Sequence, residues 1–444
     1  MNDTNSSPVV PNTFRTPRPL VLINGDPVDG GTTPTQTSAV PMDGVVSVEI
    51  DANNQYEAST WKIEANLDPL YKLNANWWSN QSKVIVTIQV GFEDQTGQFS
   101  GVWTPLIGIV DDYEINLDES SITLTGRDLS ALLIDTKTAE TYSNNTASEI
   151  VTTIAQQQGL TPVVTSTTAI AGSYYQIDTT TTGLGAFSHE MTQWDLLIYL
   201  AQQAGFDMFV DGWNLVFQPK ASTNDNPYVV EWWMGDDGIP QSNVIGLKLQ
   251  HSLTLAKGVS VTIKSHSTVT GKTVTARAQD PDYKSSYGDG TQDYVFYVPN
   301  LSSQAAQDLA NQRYADITRH LRTICFDMPA DSALSPRGVI LLSGTQTAFD
   351  GCYYPDRINM TLSVSDGFMA SVEAKNIPPT PSAAISTLTN GDGAGGGSGN
   401  GDGDGNGDGS ADTSSTSTSS TDPNATNSAG VANRDDGLQG SPGW

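Results

Sequence analysis

Apolar and polar residues alternate along the first third of the chain. Successive side chains of a β-strand point to opposite faces, so this period of two predicts strands that bury one face. Several such strands separated by turns are typical of a sandwich or a barrel. We therefore predict a β-barrel over residues 44–135. The segments with this pattern are 61–67, 84–90, 113–117 and 122–124.

The pattern changes from strand to helix at residue 136. In residues 147–160 apolar side chains recur at the spacing of one helical face. Thr192 and Asp195 have the spacing of a capping box, which predicts that a second helix begins there. A hairpin that turns at Asp211–Gly212 follows. These elements predict a small α/β module over residues 136–220.

Strand patterns resume after residue 244 and continue to about residue 375. They predict a second β-barrel over residues 221–379. One long helix is predicted within this range, over Ser303–Leu321, because apolar residues recur there at helical spacing. The residues of its apolar face are Ala306, Leu309, Ala310, Tyr314 and Ile317.

The two ends of the chain differ from the middle. Residues 1–43 are rich in Pro, Thr, Asn and Gly, which predicts an extended arm with one short strand at residues 19–23. Residues 380–444 consist mostly of Gly, Ser, Thr and Asp and offer little to bury, so we predict a disordered tail. The fold class predicted for the whole chain is mainly β with an α+β insertion.

The chain is strongly acidic. Its 444 residues include 21 Lys and Arg against 49 Asp and Glu, a formal net charge of −28 at pH 7. Proteins that grip nucleic acid neutralise phosphates with clustered Lys and Arg, so this class is disfavoured. No window approaches the roughly 18 apolar residues of a membrane span, and no membrane insertion is expected.

Acidic pairs and histidines are the candidate catalytic groups of the chain. A glycosidase needs two carboxyl groups about 5 to 9 Å apart. The pairs Asp111–Asp112 and Asp236–Asp237 are adjacent in sequence and are predicted to lie in solvent-exposed turns instead. The four His residues are scattered, and no nucleophile motif accompanies them. Asp402–Asp408 resembles half of a calcium loop without its closing Glu. We predict no enzymatic activity, no cofactor and no metal site.

Three polar or aromatic motifs could serve contacts between proteins. Gly126, Arg127 and Asp128 form either a subunit contact or a turn in which Asp128 caps a helix beginning at Leu129. The doublets Trp77–Trp78 and Trp232–Trp233 are predicted on strands, with one ring buried and one exposed. An exposed Trp is a common anchor for a neighbouring subunit.

Four segments, in order, resemble the baseplate hub family of contractile-tailed phages, which includes the Mu-type tail protein and the late-control D proteins. The same family is related to the N-terminal part of type VI secretion spike proteins. In the first segment a predicted strand is followed by a Gly-Arg-Asp turn and then by a Leu-rich helix. The resemblance covers about residues 45–377. The four segments are 121–135, 194–217, 300–320 and 342–374.

The resemblance implies that both predicted barrels are like tail-tube subunits. It further implies a homotrimeric ring that adapts the sixfold tail tube to the threefold central spike, with contacts to both and to other baseplate subunits. DNA would pass through the lumen without specific binding. The protein would belong to the virion, in the tail baseplate, and would be assembled in the host cytoplasm. The alternative is a β-rich phage protein that binds or cleaves glycan.

The helix predicted at Ser303–Leu321 also has a polar face with few charges. Interface centres are depleted in charged residues, so this face suits a neighbouring subunit, although simple solvent exposure explains it equally well. The residues predicted at this contact are Gln304, Gln307, Gln312 and Arg313.

Overall fold

A computed structural model describes most of the chain outside its two ends. The chain forms two compact units, the first with the described residues within 1–171, 183–257 and 315–379, and the second with those within 258–314 and 380–444. The described residues are 16–25, 39–54, 56–93, 99–100, 106–138, 140, 142, 145–168, 171, 191–221, 226–266, 272–281, 292–298, 301, 303–331 and 333–389. The calcium-like segment lies outside them.

Strands dominate the described chain, which confirms the predicted fold class. The strands are β1 (Thr16–Asn24), β2 (Val40–Pro41), β3 (Val45–Asn53), β4 (Thr60–Asn66), β5 (Ile85–Glu93), β6 (Phe99–Ser100), β7 (Leu106–Asn116), β8 (Ser121–Asp128), β9 (Thr161–Val164), β10 (Phe206–Asp211), β11 (Asn214–Pro219), β12 (Tyr228–Met234), β13 (Pro240–Ser242), β14 (Ile245–His251), β15 (Val259–His266), β16 (Lys272–Gln279), β17 (Gln292–Tyr297), β18 (Arg322–Pro329), β19 (Ile340–Ser343), β20 (Gly351–Ser363), β21 (Gly367–Asn376) and β22 (Ser382–Thr389). The helices are α1 (Ala75–Ser79), α2 (Ala131–Asp135), α3 (Ala147–Gln157), α4 (Gln193–Ala204) and α5 (Ser303–Thr318).

The first unit contains a sheet of 15 strands. Its centre is a path of eight antiparallel strands in the order β14, β18, β21, β20, β3, β4, β8, β7. From β20 the sheet also continues through β19 and β12 to β13, and from β7 through β5 and β1 to β2.

The described strands stay open and form no closed barrel, so the prediction of two separate barrels is wrong in this respect. The pairing of β3 with β20 joins the ranges 44–135 and 221–379 into one sheet. Alternation along a strand determines which face is buried, but it does not determine which strand lies next to it. The strand neighbours therefore could not be read from the sequence.

One face of this central sheet is buried, as the alternation predicted. Adjacent strands contribute Ile50, Ile63, Leu124, Ile358 and Val372, none more than 2% exposed. The same core contains residues of β1 and β5. The opposite face carries polar and charged side chains, so the sheet has two chemically distinct sides.

The N-terminal segment takes part in this core. Strand β1 pairs along its whole length with β5, and its residues Val21 and Ile23 are buried. The strand predicted at residues 19–23 is thus present but longer, and residues 16–24 and 40–41 of the predicted arm belong to the sheet. Pairing extends the strand into Thr16–Arg18, where no apolar alternation marks it in the sequence.

The α/β module contains the sheet β10-β11-β9 together with α3 and α4. Both helices begin with a capping box, formed by Thr146 with Glu149 and by Thr192 with Asp195. Gly205 ends α4 with φ 66°, a left-handed conformation that glycine adopts at little cost. The two helices and the hairpin lie where the sequence predicted them.

Tyr56, in the loop between β3 and β4, attaches the module to the central sheet. Its hydroxyl donates to the carbonyl of Phe206 at 2.7 Å, and its own carbonyl accepts from Trp194 Nε1 at 3.0 Å. The guanidinium of Arg337 lies 4.3 Å from the ring centroid of Phe209 and donates to Asn54 Oδ1 at 2.6 Å. The module is therefore fixed to the sheet by several directional contacts.

The second unit is built on a sheet in the order β17, β15, β16, β22. Strand β22 pairs with β16 over residues 382–389, so the prediction of a tail disordered from residue 380 is wrong for these residues. Its sequence has few apolar residues, Ala383, Ala384, Ile385 and Leu388. Pairing with β16 supplies the backbone hydrogen bonds that composition cannot reveal. Removing residues 382–444 would therefore remove an edge strand as well as the tail.

Helix α5 belongs to the second unit up to Tyr314. Ala306, Ala310 and Tyr314 are fully buried, whereas Leu309 and Ile317 are half-buried. The predicted apolar face is therefore present. Among the described residues, no helix is both long enough and apolar enough to cross a bilayer.

Candidate interaction surfaces

Arg127 lies on the polar face of β8 and is held by two carboxylates. Its Nε and Nη2 donate to Asp111 at 2.7 and 2.8 Å, and Nη1 and Nη2 donate to Asp135 at 3.1 Å. Asp111 is the extra residue of a β-bulge in β7, which turns its side chain toward Arg127. The hydrogen bonds that Arg127 donates to Asp111, and then those to Asp135, raise the pKa of Arg127 above its ordinary value. Its charge is thus neutralised by carboxylates of the same chain.

Asp128 is buried and organises the turn from β8 into α2. Its carboxylate accepts from the backbone N–H of Ser59 at 2.9 Å, from the N–H of Ser130 at 3.0 Å and from the Ser130 hydroxyl. Burial raises the pKa of Asp128. The helix begins at Ala131, two residues later than predicted. Asp128 accepts hydrogen bonds from Ser130, in the turn that precedes this helix. These contacts favour the turn interpretation over a subunit contact.

Gly126 makes room for a buried tryptophan. A Cβ at this position would lie 2.0 Å from the carbonyl oxygen of Ile109 and 2.5 Å from Cζ2 of Trp61. Gly108 on β7 is restricted in the same way. The indole of Trp61 donates from Nε1 to the carbonyl of Arg127 at 3.1 Å. Gly126 therefore gives Trp61 the room to pack against the β7–β8 pair.

A shallow groove of about 440 Å³ runs over these residues on the polar face. Its cations are bound to neighbouring carboxylates, since Arg357 pairs with Asp51 through two hydrogen bonds and Lys62 lies 2.7 Å from Glu64. The groove is lined by Glu49, Asp51, Thr60, Trp61, Lys62, Asp111, Asp112, Thr125, Gly126, Arg127 and Arg357.

The whole polar face of the eight central strands is acidic. Charged side chains of both signs lie on it, but on the described strands the carboxylates outnumber the cations. The acidic residues are Glu49, Asp51, Glu64, Asp111, Asp112, Glu114, Asp327, Asp356 and Glu373, and the basic residues are Lys62, Arg127, Lys248, Arg357 and Lys375. The cations that are ion-paired offer little to a phosphate.

The two acidic pairs have different environments. Asp236–Asp237 lies in the turn between β12 and β13, where Asp237 Oδ1 accepts from the N–H of Ile239 at 3.0 Å. Asp111–Asp112 lies within β7, so the prediction of a turn is wrong there. The sequence does not predict the bulge, because one extra residue leaves no recognisable change in the apolar and polar alternation.

The four residues predicted at a contact on α5 do not share one exposed face. Gln307 is buried, and its Nε2 donates to the carbonyl of Arg277 at 3.1 Å and to Asn311 Oδ1 at 2.9 Å. Gln304 and Arg313 are exposed, and Gln312 is half-buried. The prediction placed Gln307 on the exposed polar face of the helix. Gln307 is adjacent to Ala306 and three residues before Ala310, so it lies beside the buried face of the helix.

The tryptophan doublets were predicted on strands. Trp77 and Trp78 instead lie in the short helix α1, where Trp78 is fully buried and its ring centroid is 4.9 Å from that of Trp77. Asn74 accepts from the N–H of Trp77 and caps this helix. The second doublet lies on strand β12 as predicted, with Trp233 46% exposed, whereas Trp232 is half-buried and not part of the core.

Comparison with known proteins shows what this fold resembles. No protein-family model and no curated protein matches the sequence. Among solved structures, the tail protein from Neisseria meningitidis MC58 is 14% identical, with a TM-score of 0.55 over 81% of this chain and 96% of that one. The 43 kDa tail protein of prophage MuSo2 from Shewanella oneidensis is 15% identical, with a TM-score of 0.54 over 80% and 98%.

A third similar structure is the Francisella PdpA-VgrG complex, half-lidded, at 11% identity and a TM-score of 0.50. The match covers 84% of this chain and 60% of that one. The chain thus has the fold of phage tail proteins and related VgrG proteins. This confirms the resemblance found in the sequence motifs.

Proposed function

We propose that this chain is the structural hub subunit of a contractile phage tail baseplate, located in the virion after assembly in the host cytoplasm. Three copies form a ring that joins the sixfold tail tube to the threefold central spike and contacts other baseplate subunits. The fold shared with phage tail proteins supports a structural role in a tail. The observation that carries the proposal is the central sheet, which has one acidic face and two open edges.

The two edges are suited to each other. In the described part of the chain, β14 pairs with β18 alone, and residues 111–116 of β7 pair with β8 alone. Because the eight strands alternate in direction, β14 and β7 run in opposite senses. Copies related by rotation about an axis parallel to the strands would therefore meet edge to edge as antiparallel strands. Such a ring leaves neither of these two edges exposed.

The acidic face then lines the lumen. A wall of one predominant sign repels a polyanion, so DNA passes without phosphate contacts that must be broken. The arginines on this face do not oppose that role, because Arg127 and Arg357 are each bound by carboxylates. The α/β module lies outside the ring, and the exposed Gln304 and Arg313, with the half-buried Gln312, offer a further contact.

The oligomeric state tests this proposal directly. Native mass spectrometry of the purified protein, alone or with its spike partner, is expected to show a species of three times 47.2 kDa. Hydrogen exchange should slow with rising protein concentration in residues 245–251 and 111–116, because pairing protects the edge amides. Strand β3, at the centre of the sheet, serves as the internal control. A monomer that persists with the spike present contradicts the ring.

The rival function, a glycan-binding or glycan-cleaving phage protein, draws on the exposed Trp233 and the carboxylates of the groove. We expect no clearing of peptidoglycan in a zymogram, because Asp111 is bound to Arg127 and Asp51 to Arg357. A lysozyme lane provides the positive control. A clearing band that disappears in Asp112→Asn would favour the rival.

A further inference from the structure

Exposed apolar side chains gather at one end of the central sheet. Leu70 is 95% exposed, Leu117 is 74% exposed and Val364 is 87% exposed. Each lies in a different loop, after β4, between β7 and β8, and between β20 and β21. We call these three residues the apolar rim. Single exposed leucines are ordinary, but three in loops at the same end form a shared feature.

The register of the strands places these loops together. Asn66 at the end of β4 pairs with Ser121 at the start of β8, and the same Ser121 pairs with Asn116 at the end of β7. The N–H of Leu67 donates to the carbonyl of Ser120 at 2.6 Å, which joins the first two loops. Ser363, the last residue of β20, pairs with Ser47 near the start of β3. The three loops therefore share one end of the sheet.

Hydrogen bonds give these loops a defined shape. Asp68 Oδ1 accepts from the N–H of Leu70 at 2.8 Å. Asn116 Oδ1 accepts from the N–H groups of Asp118 and Glu119 at 3.1 and 3.2 Å. Asp366 accepts from the hydroxyls of Ser363 and Ser365 at 2.9 and 2.8 Å. The apolar side chains are thus presented by ordered turns, which reduces the entropy lost on binding.

The apolar rim is surrounded by negative charge. The three loops contain four acidic residues and one basic residue, Lys72. The acidic residues are Asp68, Asp118, Glu119 and Asp366. A partner complementary to this end must offer apolar recesses bordered by Lys or Arg.

A second copy of this chain does not meet that requirement. Strand β12 runs parallel to β19, which is antiparallel to β20, so the turn after β12 lies at the opposite end of the sheet. That end also has exposed apolar residues, Trp233 and Ile239, beside Asp236 and Asp237. Stacking one copy on another would bring acidic groups together, which disfavours filaments of this chain.

We propose that the apolar rim and its acidic border dock onto a cationic, apolar-pocketed end of the tail tube protein, an inference that rests on the proposed hub function. In the proposed ring, the apolar rim lies at one end of the sheet that forms the channel wall. A partner that is itself a ring, such as the tail tube, fits that end. The chain leaves this sheet after Asn376, at the ends of strands opposite the rim.

Binding of the purified tail tube protein of the same phage, measured by biolayer interferometry, tests this docking. The double variant Leu70→Ser with Leu117→Ser is expected to lose at least tenfold in affinity. The double variant Asp118→Lys with Glu119→Lys is expected to lose affinity by a similar factor. Raising the salt concentration should weaken the binding of the unmodified protein to the tube protein. Leu253→Ser is the matched control, because Leu253 is 71% exposed outside the rim. Its affinity should not change.

The outcomes separate this inference from the hub function. If the unmodified chain binds the tube protein and the rim variants bind equally well, the apolar rim is not the docking surface, while the hub function stands. If the rim variants lose binding to the spike and keep binding to the tube, the assignment of the partner is wrong. If the unmodified chain neither forms a trimer nor binds the tube, the hub function itself fails. Circular dichroism of each variant checks that the fold is retained.

Discussion

Replacing Gly126 with alanine is expected to lower the free energy of unfolding by about 3 kcal/mol. The added Cβ would lie 2.0 Å from the Ile109 carbonyl oxygen and 2.5 Å from the Trp61 ring. The first is a backbone atom in a paired strand, and the second belongs to a tryptophan that is 3% exposed. Neither can move without disturbing the β7–β8 pairing or the core. Urea denaturation followed by tryptophan fluorescence measures the loss.

Gly338→Ala is the matched control for this substitution. Its added Cβ would lie 3.4 Å from the carbonyl oxygen of Ser335, which is an ordinary contact. We expect a change within about 0.5 kcal/mol. If Gly126→Ala unfolds at the same urea concentration as the unmodified protein, Trp61 has room to shift and the packing role assigned to Gly126 is wrong.

The local elements could be predicted because their signals are local. Trp61, Ile63 and Ala65 are buried as their alternation requires, and the capping box of Thr192 with Asp195 begins α4 where it was predicted. These signals depend on the period of a strand and on the hydrogen bonds of a helix start. They indicate each element and its buried face without information from distant residues.

The pairing of distant segments could not be predicted in the same way. Thr361 on β20 lies opposite Glu49 on β3, and nothing in either segment specifies the other. Arg127 was recognised, but its partner Asp111 is in register only because a bulge adds one residue to β7. Strand β22 depends on β16 for its hydrogen bonds. Where an element or a site is created by long-range pairing, one sequence without its relatives gives little signal.

Replacing Asp356 with asparagine is expected to lower the free energy of unfolding by about as much as Gly126→Ala. Asp356 accepts from Arg319 at 2.6 Å and from Lys375 at 2.5 Å, and the three side chains are at most 21% exposed. Asp356 is the extra residue of a bulge in β20, and Arg319 directly follows α5. Asp356→Asn would leave two largely buried cations without a counter-ion, at a cost of about 3 kcal/mol.

His320 reports on the same change. Burial lowers the pKa of His320, Lys375 and Arg319 lower it further, and Asp356 opposes them. The pKa of His320, followed by NMR titration, should therefore fall further in Asp356→Asn. Glu64→Gln is the matched control, because the Lys62–Glu64 pair is about half exposed and should contribute less than 1 kcal/mol. Adding Lys375→Met to Asp356→Asn should recover part of the lost stability, since it removes one unpaired cation. If the double variant is no more stable than Asp356→Asn, buried charge is not the cause of the loss, and the bulge geometry itself must depend on the carboxylate.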